Sequence, residues 1–351
     1  MKYCKKCILP DSRPNITLDK YGICNASTKN TKEVIDWRKR KLDFINISKR
    51  VKSKKRMYDC VIPVSGGKDS TWQVIKALEY DLNPLCVTWR SPGRNMLGEK
   101  NLHNLIDLGI NHIDFSINPK VEKIFTYKAF KKFGNPLIPM HMALHAIPLQ
   151  IAINYKIPLI LWGENSAFEY GGDITLMGHT LDHKWLKKYG VTNGTSSKDW
   201  VDHDLSSQCL VPYQWPSENA QKNAGVKALF MGHFFHWEPQ ITYQVSKEHG
   251  FVAAEKPKTG FYNYADIDDN FLITIHHWMK WYKFGFTRLW DNLSIEIRNG
   301  RMSREDAIDI IKNVGNEKPI KEINLFCKYL DINQSDFFEI ALKFRNQNIW
   351  D

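Results

Sequence analysis

Residues Tyr58–Thr71 read YDCVIPVSGGKDST, so an apolar run ends in a serine- and glycine-rich loop just before a helical pattern begins. This order predicts a strand, a phosphate-binding loop and a helix N-terminus in one piece. Glycine lets the backbone turn sharply and approach a ligand closely. The free N–H groups of such a loop and of the first helical turn attract anions. The residues predicted to hold a phosphate are Ser65, Gly66, Gly67, Lys68, Asp69 and Ser70.

Two charged residues of this loop have predicted roles of their own. Lys68 offers a mobile positive charge to phosphate oxygens, and Asp69 is predicted to hold Mg²⁺ against them. The spacing excludes the Walker loop and the dinucleotide fingerprint. Ser-Gly-Gly-x-Asp-Ser after a strand instead resembles the PP-loop of ATP pyrophosphatases. That resemblance implies cleavage of ATP to AMP and pyrophosphate, with AMP passed to an acceptor oxygen. The alternative is a glycine-rich turn that binds no ligand.

Composition limits the classes of protein to consider. The chain has 351 residues, of which 43% are hydrophobic, so a packed core is expected and overall disorder is not. The net charge of +11 suits a phosphate-rich substrate, nucleic acid or an acidic membrane surface. No run approaches the ~20 apolar residues of a membrane span, and the first residues lack the apolar run of a signal peptide. The protein is therefore expected to be cytoplasmic.

Residues 1–30 are predicted to form a small module around cysteines. Cys4 and Cys7 are spaced as in a structural zinc site, and Cys24 begins a second pair in which Ser27 stands where the fourth cysteine would be. Three interpretations are open. Zinc is held by the three cysteines and a further group, such as a histidine or a water; the site has lost its metal; or the cysteines are small buried residues.

Residues 31–57 are predicted to form a basic helix followed by a linker. Lys49–Arg56 is expected to be solvated. A run of like charge is more often a solvated face than a contact surface, so nucleic acid is not an expected partner. The candidates for the buried side of the helix are Val34, Trp37, Leu42, Phe44, Ile45 and Ile47.

Residues 58–240 alternate strands with helical patterns, which predicts an α/β fold with a doubly wound parallel sheet. Within this domain, residues 166–225 are an insertion rich in small polar and aromatic residues, interpreted as a substrate lid with short helices. Ligands of such sheets bind beyond the carboxyl ends of the strands. The predicted strands are residues 58–64, 84–89, 112–116, 158–162 and 226–233.

Other strand exits are expected on the same rim as the phosphate loop. In PP-loop enzymes the exit of the second strand contacts the nucleoside, and the resemblance implies this role for Thr88, Trp89 and Arg90. Gly163 follows the fourth strand and is also predicted to contact the nucleotide. His233 ends the fifth predicted strand as a candidate base or substrate ligand, with a hydrogen-bonded structural histidine as the alternative.

Residues 241–351 are predicted to be mostly helical and to contribute to the substrate site. Asp266, Asp268 and Asp269 precede a helix, where acids suit an N-terminal cap as well as a metal. The arginines that follow could clamp a diphosphate or a carboxylate bidentately, or could simply lie on a helix surface. They are Arg288, Arg298, Arg301 and Arg304.

Several segments together resemble the N-acetyl sugar amidotransferases of bacterial surface-polysaccharide and pseudaminic-acid pathways. One residue departs from the pattern of that family, because Ser27 stands where the family has cysteine. This departure weakens the prediction of a zinc site more than the prediction of catalysis. Besides the PP-loop, the segments are CKKCILPDSRP at 4–14, GICNA at 22–26, WGEN at 162–165, EYGG at 169–172, DD at 268–269, KFGF at 283–286, EIRNG at 296–300 and SRE at 303–305.

The resemblance implies a reaction that uses ATP and Mg²⁺ to turn an acetamido group of an N-acetyl sugar into an acetamidino group. The sugar is expected to be nucleotide-linked and the pathway to make lipopolysaccharide O-antigen or a flagellin glycan. Adenylation of the amide oxygen creates a leaving group, which ammonia then displaces. The sequence contains no recognisable glutaminase domain, so the resemblance implies a separate glutaminase, similar to that of two-subunit imidazole-glycerol-phosphate synthase.

The same resemblance assigns residues to the acceptor side. Glu164 and Glu169 are candidates for orienting ammonia or accepting its proton, or for binding sugar hydroxyls. Asn165 and Tyr170 flank them and are predicted to bind substrate. His233, Arg298, Arg301 and Arg304 complete the predicted substrate-binding set.

Two other functions stay open on sequence alone. A PP-loop tRNA-modifying enzyme, either a thiolase or a lysidine-type ligase, would share the loop and suit the basic charge. A thiolase needs a catalytic cysteine pair, and Cys60, Cys86 and Cys209 form no obvious one. A non-catalytic subunit that only binds nucleotide is the second possibility, against which the intact loop argues.

Overall fold

The computed structural model describes residues 1–28, 35–53, 56–171, 174–314 and 318–350. Within these residues the strands are β1 (Cys60–Pro63), β2 (Pro84–Trp89), β3 (Asn111–Phe115), β4 (Leu159–Trp162) and β5 (Lys227–Phe230). The helices are α1 (Asn25–Thr28), α2 (Trp37–Lys52), α3 (Lys68–Glu79), α4 (Met96–Ile106), α5 (Pro119–Phe133), α6 (Ile138–Asn154), α7 (Ser166–Glu169), α8 (His183–Tyr189), α9 (Glu218–Asn223), α10 (Met231–Phe234), α11 (Pro239–Glu248), α12 (Leu272–Phe284), α13 (Arg288–Arg298), α14 (Arg304–Val314), α15 (Ile320–Leu330), α16 (Gln334–Leu342) and α17 (Gln347–Trp350). Short 3-10 helices cover Ile174–Leu176, Ser197–Trp200 and Val211–Tyr213.

The five described strands form one parallel sheet in the order β3-β2-β1-β4-β5. The chain winds outward from β1 through β2 to β3, and then returns to the other side of β1 as β4 and β5. This order confirms the predicted doubly wound α/β fold. The winding direction reverses between β1 and β4, and sheets of this kind bind ligands at the carboxyl ends of the strands beside that reversal.

Helices cover both faces of the sheet because the strands are apolar on both sides. On one face, α5 and α6 pack against Val61, Val87 and Ile160. On the other face, α2, α3 and α4 pack against Ile62 and Cys86. Every residue of β1 is buried, as expected for the central strand of a doubly covered parallel sheet.

Local signals set the ends of the helices that hold the sheet in place. The Asp36 carboxylate accepts a hydrogen bond of 2.9 Å from the backbone N–H of Lys39 and so caps α2. Asn118 caps α5 in the same way, with Pro119 in the first turn, where a missing N–H costs nothing. The helix ends at Gly134 in a left-handed conformation. Among the described residues, no helix combines the length and apolarity that a membrane crossing requires.

The N-terminal module and the C-terminal helices pack together beside the sheet. Trp290 and Ile297 of α13 contact the buried cysteine cluster of the module, and Arg13 forms an ion pair of 2.6 Å with Asp291 of the same helix. The helices α12, α15 and α16 share a further core, to which Phe130 of α5 contributes. The predicted helical nature of residues 241–351 is therefore confirmed for the described residues.

Three details differ from the sequence-based expectations. Leu42 was expected to be buried, but its turn of α2 faces solvent and leaves it 52% exposed. Part of the expected linker is helical, because α2 continues to Lys52. The fifth strand stops at Phe230, and His233 therefore lies in the short helix α10. Val34 lies outside the described residues.

Replacing Phe44 tests how α2 is attached to the sheet. Phe44 is fully buried among the rings of Tyr80, Phe234 and Phe235. We expect Phe44→Ala to lower the free energy of unfolding by about 3–5 kcal/mol, because it opens a cavity in the core. Leu42→Ala on the same helix is the control and should change it by no more than about 0.5 kcal/mol. Urea unfolding of both variants measures the difference, and equal effects would contradict this packing.

Candidate active site

The phosphate loop is shaped by a close contact between Gly66 and the backbone of α4. Gly66 has a φ of +83°, and a Cβ atom built on it would lie 2.6 Å from the backbone nitrogen of Leu102. Only glycine combines that conformation with that approach. The Gly67 N–H donates to the Ser65 hydroxyl over 3.3 Å, and the Ser70 hydroxyl donates to the Gly67 carbonyl over 2.9 Å. Hydrogen bonds of its own serine hydroxyls therefore stabilise the conformation of the loop.

Lys68 and Asp69 are paired with each other at the start of α3. The Lys68 ammonium lies 2.6 and 2.7 Å from the two Asp69 carboxylate oxygens and donates to Thr242 over 3.2 Å. A buried ammonium needs such partners, and Lys68 is buried between the rings of Trp237 and Tyr264. Lys68 does not line the cavity beside the loop, so its predicted contact with phosphate stays a prediction.

A cavity of about 430 Å³, here called the loop cavity, opens at the carboxyl ends of β1, β2 and β4. Three of the predicted loop residues line it, namely Ser65, Asp69 and Ser70. The strand exits that were expected on this rim also reach it. They contribute Thr88, Trp89, Ser91, Gly163 and Glu164, and the segment before α12 contributes Asp266, Asp268 and Asp269.

The loop cavity is strongly acidic. Five carboxylates line it, and the guanidinium of Arg94 is the one permanent cation among the described lining residues. Arg94 is itself paired with Asp114 over 2.7 Å. The two histidines of the lining are neutral at pH 7, because burial lowers the pKa of His141 and lowers that of His145 to about 4. An anionic ligand would enter this cavity only together with a cation.

Two of the acids before α12 have different roles: Asp269 caps the helix, and Asp268 lies beside the phosphate loop. Asp269 accepts hydrogen bonds from the backbone N–H groups of Phe271 and Ile273 over 2.9 and 3.2 Å, as the capping interpretation predicts. Burial, and next the charge of Asp269, raises the pKa of Asp268 to about 6, and a hydrogen bond from Ser65 offsets part of this shift. Asp268 is therefore the acid best placed to meet a cation beside the phosphate loop.

The three residues at the exit of β2 have different surroundings. The Thr88 hydroxyl donates to the Val64 carbonyl over 2.7 Å and so ties β2 to the start of the loop. The Trp89 indole donates to Glu122 over 2.8 Å, a buried carboxyl group whose pKa burial raises to about 7. Arg90 is exposed and pairs with Asp114 outside the loop cavity.

A second cavity of about 480 Å³, here called the basic cavity, adjoins the first. The two share five lining residues, among them Glu164 and His141. Burial, and next the charge of Asp69, raises the pKa of Glu164 to about 7. Tyr170 lines the basic cavity, where the Arg288 guanidinium lies over its ring. Glu164 therefore stands at the junction of two cavities with a pKa suited to exchanging a proton near neutral pH.

Asn165 follows Glu164 but has a structural environment. Its amide nitrogen donates to the carbonyls of Leu176 and Gly178 over 2.8 and 3.0 Å. Its amide oxygen accepts from the Trp185 indole over 2.9 Å. These bonds fix the insertion against the end of β4, and the predicted contact of Asn165 with substrate stays a prediction.

Glu169 and Arg298 meet at a third cavity of about 280 Å³, which also involves Trp237. Arg298 donates to the Glu169 carbonyl over 2.8 Å. Burial, and next the charge of Glu164, raises the pKa of Glu169 to about 8. Glu169 thus lies close enough to Glu164 to interact with it electrostatically, but it lines a different cavity.

The remaining predicted substrate residues bind other parts of the protein. Arg301 forms a two-bond ion pair with Glu296 over 2.6 and 2.7 Å. Arg304 donates to the Cys7 carbonyl over 2.9 Å and joins α14 to the N-terminal module. His233 lines neither the loop cavity nor the basic cavity, and burial together with Arg40 lowers its pKa to about 4. Their substrate contacts stay predictions.

The three N-terminal cysteines converge on one point. The sulfurs of Cys4, Cys7 and Cys24 lie within 4.8 Å of one another, and the Ser27 hydroxyl is 3.3 Å from the Cys24 sulfur. The backbone N–H groups of Cys7 and Cys24 donate to the Cys4 sulfur over 3.3 and 3.2 Å. Hydrogen bonds from Cys24 and Cys7 lower the pKa of Cys4. Three cysteine sulfurs this close together could hold a metal ion, and zinc stays a prediction.

The other cysteines do not form a reactive pair in the sheet. Cys60 and Cys86 are buried within β1 and β2. Burial raises the pKa of both thiols, whereas a catalytic cysteine needs an accessible thiolate. This arrangement disfavours a thiolase.

Sequence reasoning missed most of the cations of the basic cavity. They come from the N-terminal module, α8, α12 and α13, and only the folded chain brings them together. Among them, Arg288 was named as one of several possible clamps. Two quoted segments also contained one cation each, CKKCILPDSRP at 4–14 with Arg13 and KFGF at 283–286 with Lys283.

Comparison with known proteins gives two similarities. Residues 258–351 match a family described as "LPS biosynthesis protein WbpG-like, C-terminal domain". NMN synthetase from Francisella tularensis is similar at 14% sequence identity and a TM-score of 0.28, over 64% of this chain and 99% of that one. No curated protein sequence matches the chain. At these levels of similarity, we take the fold from the strand order of the chain itself.

Substituting the two loop glycines one at a time tests whether Gly66 is required because of its backbone conformation. We expect Gly66→Ala to lower the free energy of unfolding by about 1–3 kcal/mol, because its left-handed φ and its contact with Leu102 both penalise a Cβ atom. Gly67→Ala is the matched control, since Gly67 has an ordinary φ of −68° and its nearest neighbour is the Ser65 hydroxyl at 3.2 Å. Chemical unfolding measures both, and equal losses would contradict the loop geometry.

Completing the cysteine cluster tests the metal interpretation. Ser27→Cys should raise zinc affinity at least about tenfold, because a thiolate replaces a hydroxyl as the fourth ligand. Ser27→Ala is the control and should not raise it. Zinc retained against a graded chelator, counted by elemental analysis, gives the result. If neither the original chain nor Ser27→Cys binds zinc, the cluster is a metal-free turn.

Proposed function

We propose that this protein is an ATP-dependent amidotransferase that converts the acetamido group of an N-acetyl sugar into an acetamidino group. One observation carries the proposal. The phosphate loop lies at the point where the winding of the sheet reverses, and its cavity continues past Glu164 into a second cavity large enough for an acceptor. A nucleotide and an acceptor would therefore meet beside one carboxyl group with a raised pKa.

Magnesium fits the acidic side of this site. Asp268 would hold the ion, with Asp69 beside it, although Asp69 already accepts hydrogen bonds from Lys68, Thr242 and Trp237. When bound, the ion would neutralise the triphosphate and the pyrophosphate that leaves. Without such a cation the five carboxylates of the loop cavity would repel ATP.

The reaction proceeds in two displacements. The acetamido oxygen attacks the α-phosphorus of ATP and pyrophosphate leaves, which gives an O-adenylyl imidate. Ammonia then adds to the imidate carbon, and AMP leaves with the original amide oxygen. The loop contributes chiefly position, because holding reactants in line is worth several kcal/mol in such transfers. Ammonia loses a proton as the amidine forms, and Glu164 is the group placed to accept it.

The biological setting follows from the family match and the sequence resemblance. The C-terminal residues 258–351 resemble a family described by its part in lipopolysaccharide biosynthesis. A nucleotide-linked N-acetyl sugar is the proposed substrate, and a separate glutaminase is the proposed ammonia source. In the proposed domain arrangement, residues 58–240 bind ATP and residues 241–351 complete the acceptor site.

The direct test combines purified protein with ATP, Mg²⁺, an ammonium salt and a panel of UDP- and CMP-linked N-acetyl sugars. A coupled assay follows pyrophosphate, and mass spectrometry follows the sugar. Sugar-dependent pyrophosphate, with one acetamido oxygen replaced by nitrogen, supports the proposal and identifies the acceptor. Pyrophosphate formed only with tRNA would instead support a tRNA-modifying ligase.

Glu164 can be tested through its pH dependence. The base must be ionised, so with a pKa of about 7 the rate should rise with pH and level off above that value. We expect Glu164→Gln to lower kcat about 100-fold or more and to remove this rise. The rates are compared at a constant concentration of free ammonia, so that ammonium titration does not contribute.

Glu169→Gln is the matched comparison, since Glu169 also has a raised pKa but lines a different cavity. Its effect on kcat should be much smaller. A larger loss in Glu169→Gln than in Glu164→Gln would transfer the role of base to Glu169.

A further inference from the structure

The basic cavity has a charge opposite to that of the loop cavity it adjoins. Among the described residues, two carboxylates line it, Glu164 and Asp291, against six cationic side chains. The cations are Arg13, Lys187, Lys188, Lys280, Lys283 and Arg288. A cavity with such a surplus of positive charge raises the local concentration of anions.

The two carboxylates do not neutralise these cations. Asp291 is shared, because Arg13 lies 2.6 Å and Lys280 3.2 Å from its oxygens. Glu164 lies at the junction with the loop cavity, where it also lines the acidic side. The pair around Asp291 therefore keeps a net positive charge, and Lys187, Lys283 and Arg288 add to it.

Arg288 and Lys283 have weak local partners. Asp266 is the nearest carboxylate to Arg288, at 3.7 Å, and the buried Nε–H of Arg288 has no hydrogen-bond acceptor among the described residues. Lys283 donates to the backbone carbonyls of Phe133 and Gly134, both over 3.1 Å. Neutral carbonyls leave its charge uncompensated, so both side chains could still interact with an anion.

For two of these cations, repulsion by their neighbours adds to the effect of burial on the pKa. Burial, and next the charge of Lys280, lowers the pKa of Lys283 to about 8. Burial also lowers the pKa of Lys280, with Arg13 and Arg288 adding to the effect. An anion bound among them would relieve this repulsion, since an opposite charge favours the charged form.

We propose that the basic cavity is the acceptor subsite and that the acceptor carries an oxyanion, a phosphate or a carboxylate, which binds to Lys280 and Arg288 while its acetamido group lies at Glu164. This inference rests on the proposed function and adds to it the cavity where an anionic group of the substrate binds and the residues that select it. It also replaces the expected clamp of Arg301 and Arg304, whose guanidinium groups are bound to Glu296 and to the Cys7 carbonyl.

The test measures binding to the full chain by isothermal titration calorimetry, with the loop cavity saturated by Mg²⁺ and α,β-methylene-ATP. The probes are UDP-N-acetylglucosamine for phosphate, N-acetylneuraminic acid for carboxylate and N-acetylglucosamine as the neutral sugar. We expect at least one anionic probe to bind more than tenfold more tightly than the neutral sugar. Its affinity should also fall as salt is raised. Which probe binds distinguishes a phosphate acceptor from a carboxylate acceptor.

Variants locate the binding. Lys280→Met should weaken the bound anionic probe about tenfold, as expected for one lost charge contact. Lys187→Glu changes an exposed residue at the edge of the cavity and should weaken it too without disturbing the core. Lys312→Met is the control, because Lys312 is exposed, pairs with Asp309 and lies outside the cavity. None of the three should change the affinity for α,β-methylene-ATP.

Two failures can be told apart. If the ATP analogue binds but the neutral sugar binds as well as the anions, or if Lys280→Met and Lys187→Glu leave anion affinity unchanged, the acceptor inference is wrong and the ATP site stands. If the ATP analogue itself does not bind, the proposed function is wrong.

Discussion

The site depends on one close approach, that of Gly66 to the backbone of α4. Because the central strand ends there, a residue with a side chain would push the loop away from the helix. The contact fixes where the first turn of α3 begins, and hence where its free N–H groups point. It also places the loop between the exits of β2 and β4. The contact thereby brings Ser65, Asp69 and Ser70 to the cavity that the other residues of the proposed site also line.

The proposed site consists of two adjoining cavities of opposite charge. Five carboxylates surround the loop cavity and six cations line the neighbour. ATP with magnesium would meet the first, because only a cation makes that cavity attractive to a polyphosphate. An anionic acceptor would meet the second. The two reactants would therefore be sorted by charge before they meet at Glu164, whose pKa is raised by burial and next by the charge of Asp69.

The fold could be predicted largely from local patterns. Apolar runs ending at Trp89 and Trp162, each followed by a polar exit, gave strands at the right places, and the loop marked the central strand. His233 was misplaced because an apolar run continues past Phe230, where the chain has already turned into α10. Leu42 was misplaced because a helix with few apolar residues offers no clear periodicity.

The site was harder to predict because its side chains come from distant segments. The loop and Glu164 follow strands, so topology alone brings them together. Arg301 and Arg304 were attractive as clamps, but acids and carbonyls that only the folded chain supplies bind them. Lys280 gave no signal, since a lysine inside an aromatic helix is indistinguishable from a surface residue. The phosphate contact of Lys68 stays a prediction, because its buried ammonium is paired with the neighbouring Asp69.

The central claim is that the amide oxygen of the acceptor attacks the α-phosphorus of ATP. The most direct measurement uses an N-acetyl sugar acceptor whose acetamido oxygen is labelled with ¹⁸O, and follows the label by mass spectrometry of the products. The account predicts that AMP carries the ¹⁸O and that the acetamidino sugar carries none. Label found in inorganic phosphate together with ADP, or retained in the sugar while ATP is consumed, would contradict it.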